Sequence, residues 1–76
     1  MARAYLKVMV EMGKERSVRD ALLKFDEVKG ADLTTGSQDI LASIEADSYE
    51  DILQVMVDRL RALKGVKSTT TDLVLE

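Results

Sequence analysis

Four consecutive hydroxyl side chains, from Ser68 to Thr71, stand near the C-terminal end of the sequence. Hydroxyls both donate and accept hydrogen bonds, so such a run can hold a small polar ligand. Threonine is also β-branched and suits a half-buried strand, which gives the same residues a purely structural interpretation. Strand residues alternate between faces, so Thr69 and Thr71 should share one face and Ser68 and Thr70 the other. At most two hydroxyls of one strand should therefore contact one ligand.

The residue types that most often carry catalysis or bind metals are missing, because the 76 residues include no Cys and no His. Disulfides, thiolate metal sites and imidazole acid-base chemistry are thereby excluded. We expect a protein that is not an enzyme and that needs no metal or other cofactor. An alternative hypothesis is a small enzyme that works at a subunit interface with Asp39, Tyr5 or Glu45. It ranks last, because no pair of carboxylates stands at a spacing that forces proximity.

Length and charge narrow the class of protein further. A chain of 76 residues is expected to form a single domain over residues 1–76, whose small core would gain from oligomerisation. The net charge is -3 and the basic residues are scattered, which argues against direct binding of nucleic acid. No segment approaches the roughly 20 apolar residues of a membrane span. We expect a cytoplasmic protein that contacts neither membrane nor nucleic acid directly.

Hydrophobic periodicity predicts a strand and then a helix in the first third of the chain. Residues 2–12 alternate in polarity, which is the period of a strand. One strand face would carry Ala2, Ala4, Leu6, Val8, Val10 and Met12. From about Lys14, apolar residues recur at the spacing of an amphipathic helix, at Val18, Ala21, Leu22 and Phe25.

Two extended runs in the middle of the chain predict a β-hairpin. They cover 28–35 and 40–46, and only the short link from Gly36 to Asp39 separates them. Glycine adopts positive φ without steric penalty, so Gly36 suits a tight turn. Strands joined by so short a connection must pair antiparallel.

A second helix and a fourth strand complete the chain. Ser48 is placed to cap the helix with Asp51 at its third position, and Gly65 is expected to cap its C-terminal end. The buried stripe of this helix would consist of Ile52, Leu53, Met56, Val57, Leu60 and Leu63. The last strand is predicted at residues 66–75.

The order βαββαβ predicts an α+β, ferredoxin-like fold, in which a four-stranded antiparallel sheet carries both helices on one face. The uncovered face of the first strand would present Tyr5 and Met9 among the charged Arg3, Lys7 and Glu11. A second sheet would suit this mixed face, so we predict a homodimer formed through the sheets. The alternative is an ordinary solvent-exposed surface.

The fold alone does not determine function, because it hosts unrelated activities. Amino-acid-sensing ACT-type domains share it and commonly bind near a glycine turn such as that at Gly13. Three other features fit better: the hairpin link 36–39, a helix that leads into Gly65-Val66, and the threonine-rich start of the last strand. In these features the chain resembles, over essentially all 76 residues, the C-terminal effector-binding domain of the Lrp/AsnC regulators. It looks most like a stand-alone version without the DNA-reading helix-turn-helix.

The resemblance implies a module that dimerises through its sheet, assembles dimers into a higher ring-like oligomer, and binds a free amino acid or similar metabolite. The implied ligand contacts are Gly36, Asp39, Thr69 and Thr71, with Ser68 and Thr70 nearby. The threonines would come from a neighbouring subunit. Asp39 would hold the ligand's ammonium group, while backbone N–H groups at Gly36 and threonine hydroxyls would hold its carboxylate.

The sequence departs from the family pattern at two positions. Gln38 stands where an aromatic residue often precedes the aspartate, and its amide would favour a polar ligand such as glutamine or asparagine. Lys64 stands where proline often precedes the glycine-valine pair, which should alter only the exit of the helix. A structural alternative for Asp39 is a hydrogen bond to the backbone of its own turn.

The leading hypothesis is a small-molecule-binding, oligomeric regulatory module, which joins full-length Lrp/AsnC-type regulators and alters their assembly. The alternative is a purely structural oligomerisation partner that senses nothing.

Overall fold

A computed structural model describes residues 1–75 of the protein, without the side chains of residues 55–57. In this part of the chain the element order is βαββαβ, as the sequence predicts. The elements are β1 (Ala2–Val10), α1 (Glu15–Leu22), β2 (Val28–Leu33), β3 (Ile40–Ala46), α2 (Tyr49–Val55) and β4 (Val66–Val74). A π-helical turn (Met56–Leu60) continues α2. Within residues 1–75, no helix combines the length and the apolar character needed to cross a membrane.

The strands form one sheet in the order β2-β3-β1-β4. Each neighbouring pair is antiparallel, and β2 and β3 form the predicted hairpin. Each helix joins two strands that have one other strand between them, which is the split βαβ plan. The predicted α+β, ferredoxin-like fold is therefore confirmed.

The core lies between the sheet and the two helices. Alternate residues of β1 from Ala2 to Val10 are buried, and the intervening residues from Arg3 to Met9 face the other side of the sheet. The side chains with less than 2% exposure and the largest volumes are Leu6, Leu22, Ile40, Ile44, Ile52, Leu60, Val8 and Val18. Removal of this apolar surface from water stabilises the fold by roughly 25 cal/mol per Å². One face of the sheet is thus covered, and the opposite face, here called the open face, is not.

The start of α2 agrees with the sequence prediction. The Ser48 hydroxyl oxygen accepts a hydrogen bond from the Asp51 backbone N–H at 3.1 Å, so Ser48 is the N-cap. The buried stripe is narrower than predicted. Ile52 and Leu60 are fully buried, whereas Leu53 is 44% exposed. Leu53 follows Ile52 by about 100° around the helix, which turns it from the sheet towards solvent. The side chains of residues 56 and 57, also predicted in this stripe, lie outside the described part.

Three predicted boundaries are wrong. α1 ends at Leu22, so Phe25 lies beyond the helix, although it still packs against the core. β1 stops at Val10 rather than at residue 12, because the Lys14 N–H bonds the Glu11 carbonyl at 3.0 Å and the chain turns at Gly13, whose φ is 86°. Met12 consequently leaves the sheet and is 97% exposed.

Gly65 is not the cap of the second helix, because the helical segment already ends at Leu60. With a φ of 98°, Gly65 instead forms the turn before β4, where its carbonyl accepts a hydrogen bond from the Glu11 N–H at 2.8 Å. The other strand ends differ little from prediction, since β2 ends at Leu33 and β4 at Val74.

Candidate functional site

Asp39 closes the end of the sheet between β3 and β1. It is half-buried, and its backbone N–H donates to the Val8 carbonyl at 3.0 Å, next to the Val8–Ile40 pair that ends the β1–β3 ladder. Its carboxylate oxygen Oδ2 accepts a hydrogen bond from the Val10 N–H at 2.9 Å. Within a strand the N–H and C=O of one residue point to the same side, so Val10 directs its N–H towards β3, where the regular strand has ended. The Asp39 side chain supplies the missing acceptor.

The rest of the β2–β3 link is a tight turn with its own hydrogen bonds. The Thr34 hydroxyl donates to the Gln38 carbonyl at 2.8 Å, and the Ser37 hydroxyl donates to the Gln38 side-chain Oε1 at 2.9 Å. Gly36, at the tip, has a φ of 128°, a conformation that other residues rarely adopt. The turn therefore places Gly36, Gln38 and Asp39 on one short loop, with Asp39 fixed against β1.

The four hydroxyl residues of β4 divide between the two faces of the sheet. Thr69 and Thr71 pair with the buried Val8 and Leu6, so both lie on the helix side. Ser68 and Thr70 pair with Met9 and Lys7 and lie on the open face. The helix-side pair is half-buried, and the other two are exposed. A ligand that lies on one face of the sheet meets one pair and not the other. At the outer edge of β4, however, Ser68 and Thr69 line one cavity.

A cavity of about 260 Å³ opens beside the first residues of β4. Its described lining consists of Arg61, Val66, Lys67, Ser68 and Thr69. Arg61 follows the π-helical turn, and its Nε donates a hydrogen bond to the Thr69 Oγ1 at 3.3 Å. Arg61 and Lys67 were not predicted as site residues from the sequence, yet both line this cavity. The sequence signal was the presence of three basic residues, Arg61, Lys64 and Lys67, within eight positions of the hydroxyl run.

The loop and the hydroxyl run lie at the same end of the sheet but are separated by β1. Ile40 and Thr69 both pair with Val8, from opposite sides. Two strand spacings of about 4.8 Å put their backbones roughly 10 Å apart. Within one chain, therefore, Asp39 and Thr69 are not brought together around one small ligand.

The three residues of the alternative enzyme hypothesis are also not assembled. Tyr5 and Glu45 lie near each other on the open face, where both line a cavity of about 220 Å³ with Arg3. Asp39 lies just before the first residue of β3, whereas Glu45 lies next to the last residue of that strand. The pairing of Arg3 with Glu45, and of Val8 with Ile40, sets this separation.

Comparison with known proteins identifies relatives over nearly the whole chain. The sequence model of the Lrp/AsnC ligand binding domain matches residues 3–76. An uncharacterised HTH-type transcriptional regulator of Pyrococcus furiosus is 31% identical over 71 residues, which cover 93% of this chain and 48% of that regulator. The chain thus spans about half the length of this relative.

Solved structures share the fold. Hypothetical protein PHS023 of Pyrococcus horikoshii is 29% identical, with a TM-score of 0.92 and coverage of 100% of this chain and 92% of that one. The transcriptional regulator NMB0573 of Neisseria meningitidis, solved as a complex with L-Met, has a TM-score of 0.86 at 22% identity. That match covers 99% of this chain and 50% of the regulator.

Proposed function

Because the chain belongs to the Lrp/AsnC ligand-binding domain family, we propose that it binds a small-molecule effector, a free amino acid or a similar metabolite, and acts as a regulatory module for transcriptional regulators. The observation that carries this proposal is the family match over residues 3–76. The N. meningitidis regulator of the same fold was solved with L-Met, which supports an amino acid as the class of ligand.

Asp39 is the group best suited to an effector's ammonium. A carboxylate has about four lone-pair positions for hydrogen bonds, so the bond to Val10 leaves acceptor capacity on the same side chain. Backbone N–H groups at the glycine turn around Gly36 and the Gln38 amide would contact the effector's other polar groups. In this proposal, hydroxyls of Thr69 and Thr71, with Ser68 and Thr70 beside them, come from a neighbouring subunit, since β1 separates them from Asp39 in one chain.

The proposed assembly begins with a homodimer through the open face. Tyr5 is 46% exposed there, and Met9, Leu41 and Val74 are half-buried at the surface of the isolated chain. Cavities of about 220 and 240 Å³ are both lined by Tyr5 and would receive side chains of a second sheet. Dimers would then assemble into a ring-like oligomer and join full-length regulators of the family.

A purely structural oligomerisation partner is the second candidate. The observation that favours it is the commitment of the Asp39 carboxylate to the Val10 N–H, which gives this residue a role in the fold without any ligand. The hydrogen bond from Arg61 to Thr69 likewise gives one of the hydroxyls an intramolecular partner.

Thermal unfolding against a panel of the twenty free amino acids distinguishes the two candidates. A ligand at 100 times its Kd stabilises the native state by about 2.7 kcal/mol, which raises the midpoint of a domain this small by several degrees. We expect a selective rise in wild type and in an Asp58→Asn control, whose carboxylate is exposed on the π-helical turn. Asp39→Asn should lose the rise, because it keeps an acceptor for Val10 but removes the charge. Absence of a rise with every amino acid would favour the structural partner.

A further inference from the structure

The cavity at the start of β4 has a cationic lining, although the chain as a whole is acidic. The whole chain carries 14 acidic and 11 basic residues, for a net charge of -3. Among the described residues that line this cavity, two are cationic, Arg61 and Lys67, two bear hydroxyls, and none is a carboxylate. A cavity of about 260 Å³ with such a lining has room for a small anionic group and attracts it.

A hydrogen bond to β4 orients the side chain of Arg61. Its hydrogen bond to Thr69 uses Nε, at 3.3 Å, and the planar guanidinium has two further nitrogens. These can donate parallel hydrogen bonds to the two oxygens of a carboxylate or phosphate group. Because Arg61 is exposed, an anion can reach it from solvent without a large change in the protein.

The edge of β4 adds a backbone donor to the same place. The Val8 carbonyl accepts the Asp39 N–H, so the polar backbone groups of Val8 point towards β3. Thr69 is the residue opposite Val8 in the β1–β4 pair. Antiparallel pairs alternate between bonded and non-bonded types, so the backbone N–H of Thr69 points away from β1, towards the outer edge of the sheet. The cavity thus has charged, hydroxyl and backbone donors together.

We propose that Arg61, Lys67, Ser68 and Thr69 form an oxyanion-binding site, the β4 anion site, and that it takes the side-chain carboxylate of an acidic amino acid. The identification of the anion as an amino acid rests on the proposed function. The site itself is formed by residues of one chain. It makes charge, rather than the Gln38 amide, the main determinant of which amino acid binds, so glutamate should bind more tightly than glutamine.

Titration of the ¹⁵N-labelled protein, followed by the amide resonances of Ser68 and Thr69, tests the proposal. The probes are L-glutamate, L-glutamine and inorganic phosphate at constant ionic strength. The variants are Arg61→Gln and the matched control Arg59→Gln, which removes an exposed arginine of the π-helical turn that does not line the cavity.

We expect glutamate to shift these amides with an affinity roughly tenfold or more above that of glutamine, because a charge-assisted pair is stronger than a neutral one. Arg61→Gln should remove this preference, and Arg59→Gln should keep it. Equal affinities for the two amino acids, or a preference that survives Arg61→Gln, would overturn the β4 anion site while leaving amino-acid binding intact. Arg61-dependent shifts with phosphate, and none with either amino acid, would uphold an oxyanion site but contradict the acidic amino acid and the proposed function.

Discussion

At the scale of single residues, Asp39 combines a structural contact with a proposed ligand contact. Its carboxylate accepts a hydrogen bond from the Val10 N–H at the end of β1, where β3 has no backbone acceptor for it. An effector ammonium would add to this hydrogen bond rather than replace it. Loss of ligand binding in a variant of this residue is therefore informative only when the fold is intact, which makes the choice of substitution decisive.

Asp39→Ala should lower stability more than Asp39→Asn. Alanine leaves the Val10 N–H without its acceptor, and Val10 is a buried core residue, so the free energy of unfolding should fall by about 1–3 kcal/mol. Asparagine keeps an amide oxygen at the same place, so its cost should stay below about 1 kcal/mol. Urea unfolding of both variants measures the difference. If the two variants lose the same free energy of unfolding, the acceptor for the Val10 N–H contributes nothing, and the loss comes from removal of the charge alone.

The sequence predicts the types of the site residues better than their contacts. The alternation that separates Thr69 and Thr71 from Ser68 and Thr70 follows from strand geometry alone. By contrast, the bond from Val10 to Asp39 joins residues 29 positions apart, and it depends on where β3 ends relative to β1. The role of Arg61 also depends on a π-helical turn that the hydrophobic pattern does not reveal.

At the scale of elements, the start of β4 is fixed by close packing against α1. Gly65 has a φ of 98°, and a Cβ at this position would stand 3.1 Å from both the Lys14 Cβ and the Val18 Cγ2. Neither atom lies at the end of a flexible side chain, and Val18 is stiff because it is β-branched. The turn therefore requires glycine for its conformation and also for space.

Gly65→Ala should destabilise the protein more than Gly13→Ala. Both glycines have positive φ, which costs an L-residue roughly 1–2 kcal/mol, but a Cβ on Gly13 would have no atom within 4 Å. Overpacking at Gly65 should add about 1 kcal/mol or more. Thermal unfolding of the two variants isolates this crowding term, because they share the backbone strain. Equal midpoints would mean that α1 shifts away from β4 without cost.

The cap of α2 offers a second test at this scale. Ser48→Ala removes the acceptor for the Asp51 N–H and should lower the free energy of unfolding by about 1 kcal/mol. Ser48→Asp keeps an acceptor and adds a negative charge at the helix start, so it should stay within about 0.5 kcal/mol of wild type. Chemical unfolding compares them. An alanine variant as stable as wild type would show that packing alone defines the start of the helix.

Sequence periodicity predicted the elements because each has one buried face. β3 lies at the predicted residues 40–46, and the N-cap Ser48 is also correct. The predictions fail where the hydrophobic pattern of a segment continues past the residues that contact the core. Met12 continues the alternation of β1, yet the turn at Gly13 takes it off the sheet, and Leu53 is apolar although only a narrow stripe of α2 meets the core.

At the scale of the whole molecule, the open face is the surface through which we propose that two subunits associate. A chain of 76 residues has a small core, and its helices cover only one side of the sheet. On the other side, exposed Tyr5 lies opposite Asp72, whose carboxylate pairs with Lys7 at 3.1 Å, and the half-buried Met9, Leu41 and Val74 share this face. Aromatic residues and methionine are enriched at protein interfaces.

Tyr5→Glu should therefore convert the proposed dimer into monomer without unfolding it. In the isolated chain this position is exposed. Arg3 and Lys7 flank it on the same face and offset the Asp72 carboxylate opposite it on β4, so a glutamate is tolerated there. Between two sheets the charge would be buried once per subunit, and the dimer Kd should rise by roughly a hundredfold or more. Light scattering over a dilution series measures this, with Met12→Glu as control, since Met12 is 97% exposed and off the sheet. If wild type is already a monomer at micromolar concentration, or if Tyr5→Glu leaves the mass unchanged, the subunits do not associate through the open face. A ligand site shared between subunits would then have to form through another surface, such as an edge of the sheet at β2 or β4.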